Sequence, residues 1–295
     1  MAATTALYLL PAAVVHDLWS GKLLAWAAVG VLVHIFGFVH NEVRDRDHDA
    51  GRAYLQHKPL VEKPAMREGA IGLALIALVV AFVLGLQLLD GWLFLLFLAA
   101  LVAAVAYNET SKRSALAPVY LAGWGALSVL AVGLSGPWSE AAAPLWVLTV
   151  YVLLSILYQV HLGYLKDPGE VPIGGVRTVL YTIGFLMAVI AFSGALWMGG
   201  LFFLVVLFAA TGTVVIHSWG LLRGVRDRRY GYLSWHRPTA LRVMGAHEFA
   251  GYVTAVTLVL PALVAVEAMA LLVVPVAWYV VCNRLLYGRA MAPGV

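Results

Sequence analysis

Residues 22–49 read KLLAWAAVGVLVHIFGFVHNEVRDRDHD. From Leu23 to Val39 every residue but His34 is apolar or glycine. From Asn41 to Asp49 almost every residue is polar, with Glu42, Asp45, Asp47 and Asp49 set among Arg44, Arg46 and His48. A bilayer core about 30 Å thick takes roughly 20 apolar residues in a helix. The first part is therefore read as a membrane span, about 22–41, and the second as an acidic cluster at its end.

The rest of the chain repeats the first half of that pattern. Of its 295 residues, 63% are hydrophobic and 12% charged, with a mean hydropathy of +0.91. Soluble domains are about half apolar and about a quarter charged, so the expected class is an all-α polytopic membrane bundle. Apolar stretches fall at about 3–19, 22–41, 68–88, 91–107, 115–135, 144–165, 178–196, 199–219, 247–266 and 269–287. Ten membrane helices are expected, or nine if His16 and Asp17 disqualify the first. No linker divides them, so residues 1–295 are expected to form one integral-membrane domain.

No signal peptide is expected, because the first basic residue is Lys22 and no cationic segment precedes the first apolar stretch. The single cysteine, Cys282, excludes an intramolecular disulfide. The formal charge of +4 fits the retention of basic residues in short membrane loops, and no nucleic-acid partner is expected.

Those loops give an orientation. Segments 42–67, 108–114, 166–177 and 220–246, the tail after 288 and the adjoining helix ends carry every Lys and Arg except Lys22. Cytoplasmic loops hold the excess of basic residues, which puts the acidic cluster on the cytoplasmic side of, most simply, a prokaryotic plasma membrane. The basic and aromatic loop 220–246 also suits contact with anionic membrane lipids, or a lid over a site.

Spacing within the cluster carries chemistry. The span is expected to continue as helix past the membrane surface, so that Asn41, Asp45 and Asp49, recurring every fourth residue, share a face, with Glu42 three before Asp45. Asp47 and Arg46 point elsewhere on such a helix. Neighbouring carboxylates raise one another's pKa unless a cation neutralises them. An oxygen-rich set of this kind suits Mg²⁺, which keeps waters and bridges carboxylates to substrate phosphate. A solvated loop of cancelling charges is the other reading of the same residues. Downstream, Lys58-Pro59-Leu60-Val61, Lys63 and Arg67 supply cations for the far oxygens of a diphosphate, or simply orient the chain.

Asn41-Glu42-x-x-Asp45-Arg46-x-x-Asp49 followed by Lys58-Pro59-Leu60 resembles the first signature of the UbiA-type intramembrane prenyltransferases, N-D-x-x-D-x-x-x-D with a later R-P-L. Tyr107 with Lys112-Arg113 resembles that family's Tyr-x-x-x-Leu-Lys stretch. Lys166-Asp167, Gly174-Gly175 and Arg177-Thr178 resemble its second, acidic signature. Three positions depart from the family pattern. Glu42 stands where the family usually has Asp. Lys58 stands where it has Arg, which loses a bidentate phosphate grip. Four residues past Asp167 is Val171 rather than Asp; Glu170 comes one residue early, between Pro168 and Pro172. Either Glu170 substitutes through an altered backbone, or a second metal is not held there.

The resemblance implies an all-α bundle like that of the isoprenyl synthases, with its active site at the cytoplasmic face. It implies that Asn41, Glu42, Asp45 and Asp49 bind one Mg²⁺, and that Asp167, with Glu170, binds another. Lys58, Arg177 and Arg46 would contact the diphosphate, and Tyr107 and Lys112 would line the same region; Asp45, Asp49, Asp167, Lys112 and Tyr107 would carry the catalysis. Tyr158 and His161, three apart at the inner end of a span, either line the chamber and deprotonate an acceptor or pack at the interface, where Tyr is common. The implied reaction moves a prenyl group from an isoprenyl diphosphate donor to a lipophilic acceptor such as a quinone or aromatic precursor. A membrane terpene cyclase of the same superfamily is the alternative. A transporter fits less well, since transporters bury ionisable groups near the bilayer midplane and these spans hold almost none. A non-catalytic scaffold is the remaining possibility.

Overall fold

Ser20 starts the helix that decides the fold. Its backbone is extended (φ −74°, ψ 142°), and its side-chain oxygen accepts the Leu23 amide hydrogen at 3.3 Å, a serine N-cap. Helix α2 then runs unbroken for 30 residues, Gly21–Ala50. At 1.5 Å per residue that is about 45 Å, longer than the roughly 30 Å hydrocarbon core. The acidic cluster, expected to continue the span as helix past the membrane surface, is helical throughout, and it extends the apolar span as one rod. The amide of Gln56 donates to the Ala50 carbonyl at 2.6 Å and so satisfies one of the terminal acceptors.

The computed structural model describes residues 2–16, 20–51, 56, 58–111, 114, 116–136, 145–146, 148–157, 159–160 and 255. Before α2 comes α1 (Ala2–Val15), and after it α3 (Pro59–Glu62), a 3-10 turn (Pro64–Met66), α4 (Arg67–Leu88), α5 (Gly91–Thr110) and α6 (Ala117–Gly133). A further apolar helix, α7, spans Leu148–Leu157. Among the described residues there is no strand, and the protein is all-α. Three helical stretches are long and apolar enough to cross a membrane: Gly21–Ala50, Pro64–Leu88 and Gly91–Thr110. The expected spans 178–196, 199–219, 247–266 and 269–287 lie outside the described residues, Ala255 apart.

Small residues set how the helices meet. The buried residues of α4 are Ala74, Ala77, Ala81 and Gly85, a stripe at helical spacing that lets α4 pack closely on α2. Its opposite side exposes Leu73, Leu75, Ile76, Val79 and Leu86, as a lipid-facing helix does. Gly85 is the close approach: a Cβ there would overlap the ring of Phe97 on α5.

An aromatic knot joins the helices behind the site. Tyr8 of α1 stacks on Trp26 of α2 (centroids 6.3 Å, interplanar 12°), and Phe97 of α5 meets both rings edge-on at 6.4 and 6.1 Å. The Tyr8 hydroxyl oxygen accepts hydrogen bonds from Trp124 Nε1 at 3.2 Å and Ser128 Oγ at 3.0 Å, both on α6. Four helices therefore converge on one phenol whose polar atom is satisfied inside an apolar core.

Candidate metal and diphosphate site

The inner end of α2 presents two faces. On one, Asp45 and Asp49 are buried, 6% and 2% exposed. Asn41 Nδ2 donates to Asp45 Oδ2 at 3.0 Å, a contact between side chains one turn apart. Asn41 thereby keeps its carbonyl oxygen as a further potential ligand. Asp47 is the outward residue of the cluster, with its side chain 84% exposed, and Arg46 lies 3.5 Å from it.

What covers Asp49 is the segment after α2. Lys58 precedes Pro59, and the residue before a proline is pushed towards extended backbone; Lys58 has φ −66° and ψ 136°. Pro59 then opens α3 at the position that tolerates it best. The Lys58 carbonyl accepts the amides of Val61 at 3.0 Å and Glu62 at 2.9 Å, and Leu60 is buried. The lysine is thus anchored at its backbone and aimed back at α2. Its Nζ donates to Asp49 Oδ2 at 2.7 Å and to Glu42 Oε1 at 2.8 Å. Burial acts to lower the Lys58 pKa, but hydrogen bonds to Asp49 and Glu42, together with their charges, outweigh it and hold the pKa above the ordinary lysine value.

The other face of α2 is clamped to α5. Asn108 Nδ2 donates to the Gly37 carbonyl and to His40 Nδ1, each at 3.1 Å. With Nδ1 accepting, His40 carries its hydrogen on Nε2, which donates to Glu109 Oε1 at 3.1 Å. Arg44 pairs with the second carboxylate oxygen of Glu109 at 2.6 Å. This network fixes the rotation of α2 about its axis and keeps Asp45 and Asp49 turned to the α3 side.

Of the residues expected at the site, the structure brings together Asn41 with Asp45, and Glu42 and Asp49 through Lys58. Arg46 is set against Asp47. Tyr107 packs half-buried against the apolar core on α5. Lys112, Tyr158, His161, Asp167, Glu170 and Arg177 lie outside the described residues. The clamp of His40, Asn108 and Glu109 was not anticipated. Its only trace in the sequence is polar residues at the inner ends of two apolar spans, His40 on one, Asn108 and Glu109 on the other.

Among the described residues no three His, Cys, Asp or Glu side chains are gathered as a complete metal site. The donors present nevertheless fit a hard divalent cation. Asp45 and Asp49 are buried carboxylates on one face, Asn41 offers an amide oxygen, and a cationic ammonium already bridges Asp49 and Glu42. Mg²⁺ commonly takes only one or two carboxylates and fills its octahedron with waters and phosphate oxygens.

Residues 1–133 match the family model of the UbiA prenyltransferase family. No curated protein matches the sequence. Among solved structures, the chain is similar to the apo form of a UbiA homolog from Aeropyrum pernix K1, with a TM-score of 0.65 at 12% identity over 89% of this chain and 98% of that one. It is also similar to a digeranylgeranylglyceryl phosphate synthase, with a TM-score of 0.61 at 16% identity over 88% and 92%. A UbiA homolog from Archaeoglobus fulgidus bound to DMAPP and Mg²⁺ gives a TM-score of 0.56 at 15% identity over 86% and 96%. At these identities the structural likeness is one of fold. The apolar helices and the shared fold are those of an integral-membrane helical bundle. The match to the UbiA prenyltransferase family lies in residues 1–133, and the likeness over most of the chain to solved UbiA homologs is one of fold.

Proposed function

We propose that the protein transfers a prenyl group from an isoprenyl diphosphate to a lipophilic, membrane-borne acceptor, as a single domain with its site at the cytoplasmic face. The observation that carries this reading is the burial of Asp45 and Asp49 on one helix face with the Lys58 ammonium against Asp49 and Glu42. Carboxylates and a lysine held together under cover are what binding a metal–diphosphate group requires. One neighbour of similar fold bound to DMAPP and Mg²⁺, and another that is a digeranylgeranylglyceryl phosphate synthase, are consistent with it.

In this reading Asn41, Glu42, Asp45 and Asp49 hold one Mg²⁺, and Asp167 and Glu170 are the candidates for a second. When bound, Mg²⁺ supplies charge that stabilises the departing diphosphate. The chain's own groups do the rest. Lys58 and Arg177 grip phosphate oxygens, and their positive charge favours the developing anion over the esterified donor. Tyr107 and Lys112 line the same region. The apolar bundle receives the isoprenoid tail and excludes water from the reacting carbon. Tyr158 and His161 are placed in sequence to meet the acceptor. The basic loops orient this end to the cytoplasm.

The test uses the purified full chain in lipid nanodiscs, given isoprenyl diphosphates of several lengths with and without Mg²⁺ and candidate acceptors. Diphosphate release that requires both Mg²⁺ and an acceptor supports transfer. The altered second acidic motif favours one further reading, cyclisation of the same donor; release without acceptor, accompanied by a hydrocarbon product, would establish that instead. No release from any donor would overturn both.

A further inference from the structure

We propose that Lys58 and a divalent ion compete for the same carboxylate oxygens, so that loading the metal frees the lysine to take the diphosphate. The inference rests on the metal-site reading above and adds to it an internal cation that must be exchanged.

The geometry sets both cations on the same two carboxylates. Lys58 Nζ sits 2.7 Å from Asp49 Oδ2 and 2.8 Å from Glu42 Oε1. An ion binding through those oxygens at the roughly 2.0–2.1 Å typical of Mg²⁺ would stand within about 4 Å of the ammonium. Two like charges that close, partly shielded from water, repel strongly. The arrival of the ion therefore favours the departure of the lysine. Its means of leaving is plain: four carbons and rotatable bonds lie between Nζ and a backbone fixed by Pro59 and by the Val61 and Glu62 amides. The ammonium can swing while its root stays still. An ammonium is also a point charge that can exchange one set of oxygens for another, whereas a guanidinium is a planar fork committed to one.

The exchange explains how buried acids are tolerated. Asp49 is 2% exposed, and a buried carboxylate is costly unless a charge accompanies it. Lys58 supplies that charge before loading. After loading, the ion supplies it, and the displaced ammonium lies beside the ion, where the far phosphate oxygens of a metal-bound diphosphate would be. The order of events is then fixed by electrostatics: metal first, diphosphate second.

The experiment measures Mn²⁺ binding to the full chain in detergent by the electron paramagnetic resonance of free Mn²⁺, without any diphosphate. Lys58→Met should bind Mn²⁺ about tenfold more tightly than wild type, because the competing charge is gone. Lys58→Arg, which keeps the charge, should not. With Mn²⁺ saturating, inorganic diphosphate should bind Lys58→Met several-fold more weakly than wild type. Thermal melting guards against a folding artefact. Without metal Lys58→Met should melt below wild type, and Mn²⁺ should raise its melting temperature by more than it raises that of wild type. If wild type binds Mn²⁺ and Lys58→Met binds it equally or more weakly, the exchange is wrong and the metal site stands. If neither protein binds Mn²⁺, the metal-site reading itself is wrong.

Discussion

Asn108 on α5 gives a hydrogen to Nδ1 of His40 on α2 at 3.1 Å, and through that one contact a buried amide decides which ring nitrogen faces Glu109. The same Nδ2 also reaches the Gly37 carbonyl. Asn108 is therefore the centre of the clamp between the acid-bearing helix and its neighbour.

Asn108→Leu keeps the volume and removes both donors. The Gly37 carbonyl and His40 Nδ1 lose a buried partner, at a cost of about 1–3 kcal/mol. Glu109→Gln keeps an acceptor near His40 and removes only the partly exposed ion pair with Arg44, which is worth about 0–1 kcal/mol. Thermal unfolding of the purified protein in detergent should show a clear fall in melting temperature for the first and little change for the second. Equal effects would mean that the clamp is held by charge rather than by the amide.

Asp45→Asn and Asp49→Asn preserve shape and hydrogen-bonding capacity while removing one charge each. Both should lose prenyl transfer by about a hundredfold or more, the scale expected when stabilisation of a transition-state charge is removed, and both should remain folded. Turnover is measured as diphosphate release, with size-exclusion elution as the folding check. Asp47→Asn, at the exposed position, should retain wild-type turnover.

Tyr8→Phe leaves the Trp124 indole N–H and the Ser128 hydroxyl without their acceptor inside the core. A loss of about 1–3 kcal/mol is expected. Ser128→Ala together with Tyr8→Phe should cost less than the two single changes summed, because contacting residues are coupled. Melting temperatures of the two singles and the double give the answer; strict additivity would deny the shared bond.

Gly85→Ala places a methyl group where the Phe97 ring lies. Phe97 is fully buried and held edge-on by Tyr8 and Trp26, so it cannot simply rotate away. Overpacking of this kind costs about 1–3 kcal/mol. The change should lower the melting temperature, and Phe97→Leu in the same chain should recover part of the loss.

Much of the fold was legible because a bilayer imposes a simple rule on helices. The apolar runs that became α2, α4 and α5 could be read from length and composition alone. So could the inward set of Asn41, Asp45 and Asp49, because helical spacing is strict. The end of α2 was harder. That the helix continues past the membrane surface follows from the four-residue spacing of the acids, but where it stops, at Ala50, is not marked by the change to charge at residue 42. Only the family resemblance placed Lys58 at the same site, since nothing local says that residue 58 returns to residues 42 and 49. Nor could the clamp be read: His40 and Asn108 are 68 positions apart, and only packing of α2 beside α5 joins them.

The unbroken course of α2 ties the site to the surrounding lipid. A thinner or thicker bilayer changes the tilt of a span that must match it. Here the span and the carboxylate-bearing turns are a single lever, so a few degrees of tilt at Trp26 displaces Asp49, more than six turns away, by ångströms. Membrane thickness thereby enters the geometry of the chemistry, and the hold of Asn108 on Gly37 is what limits how far that lever can swing.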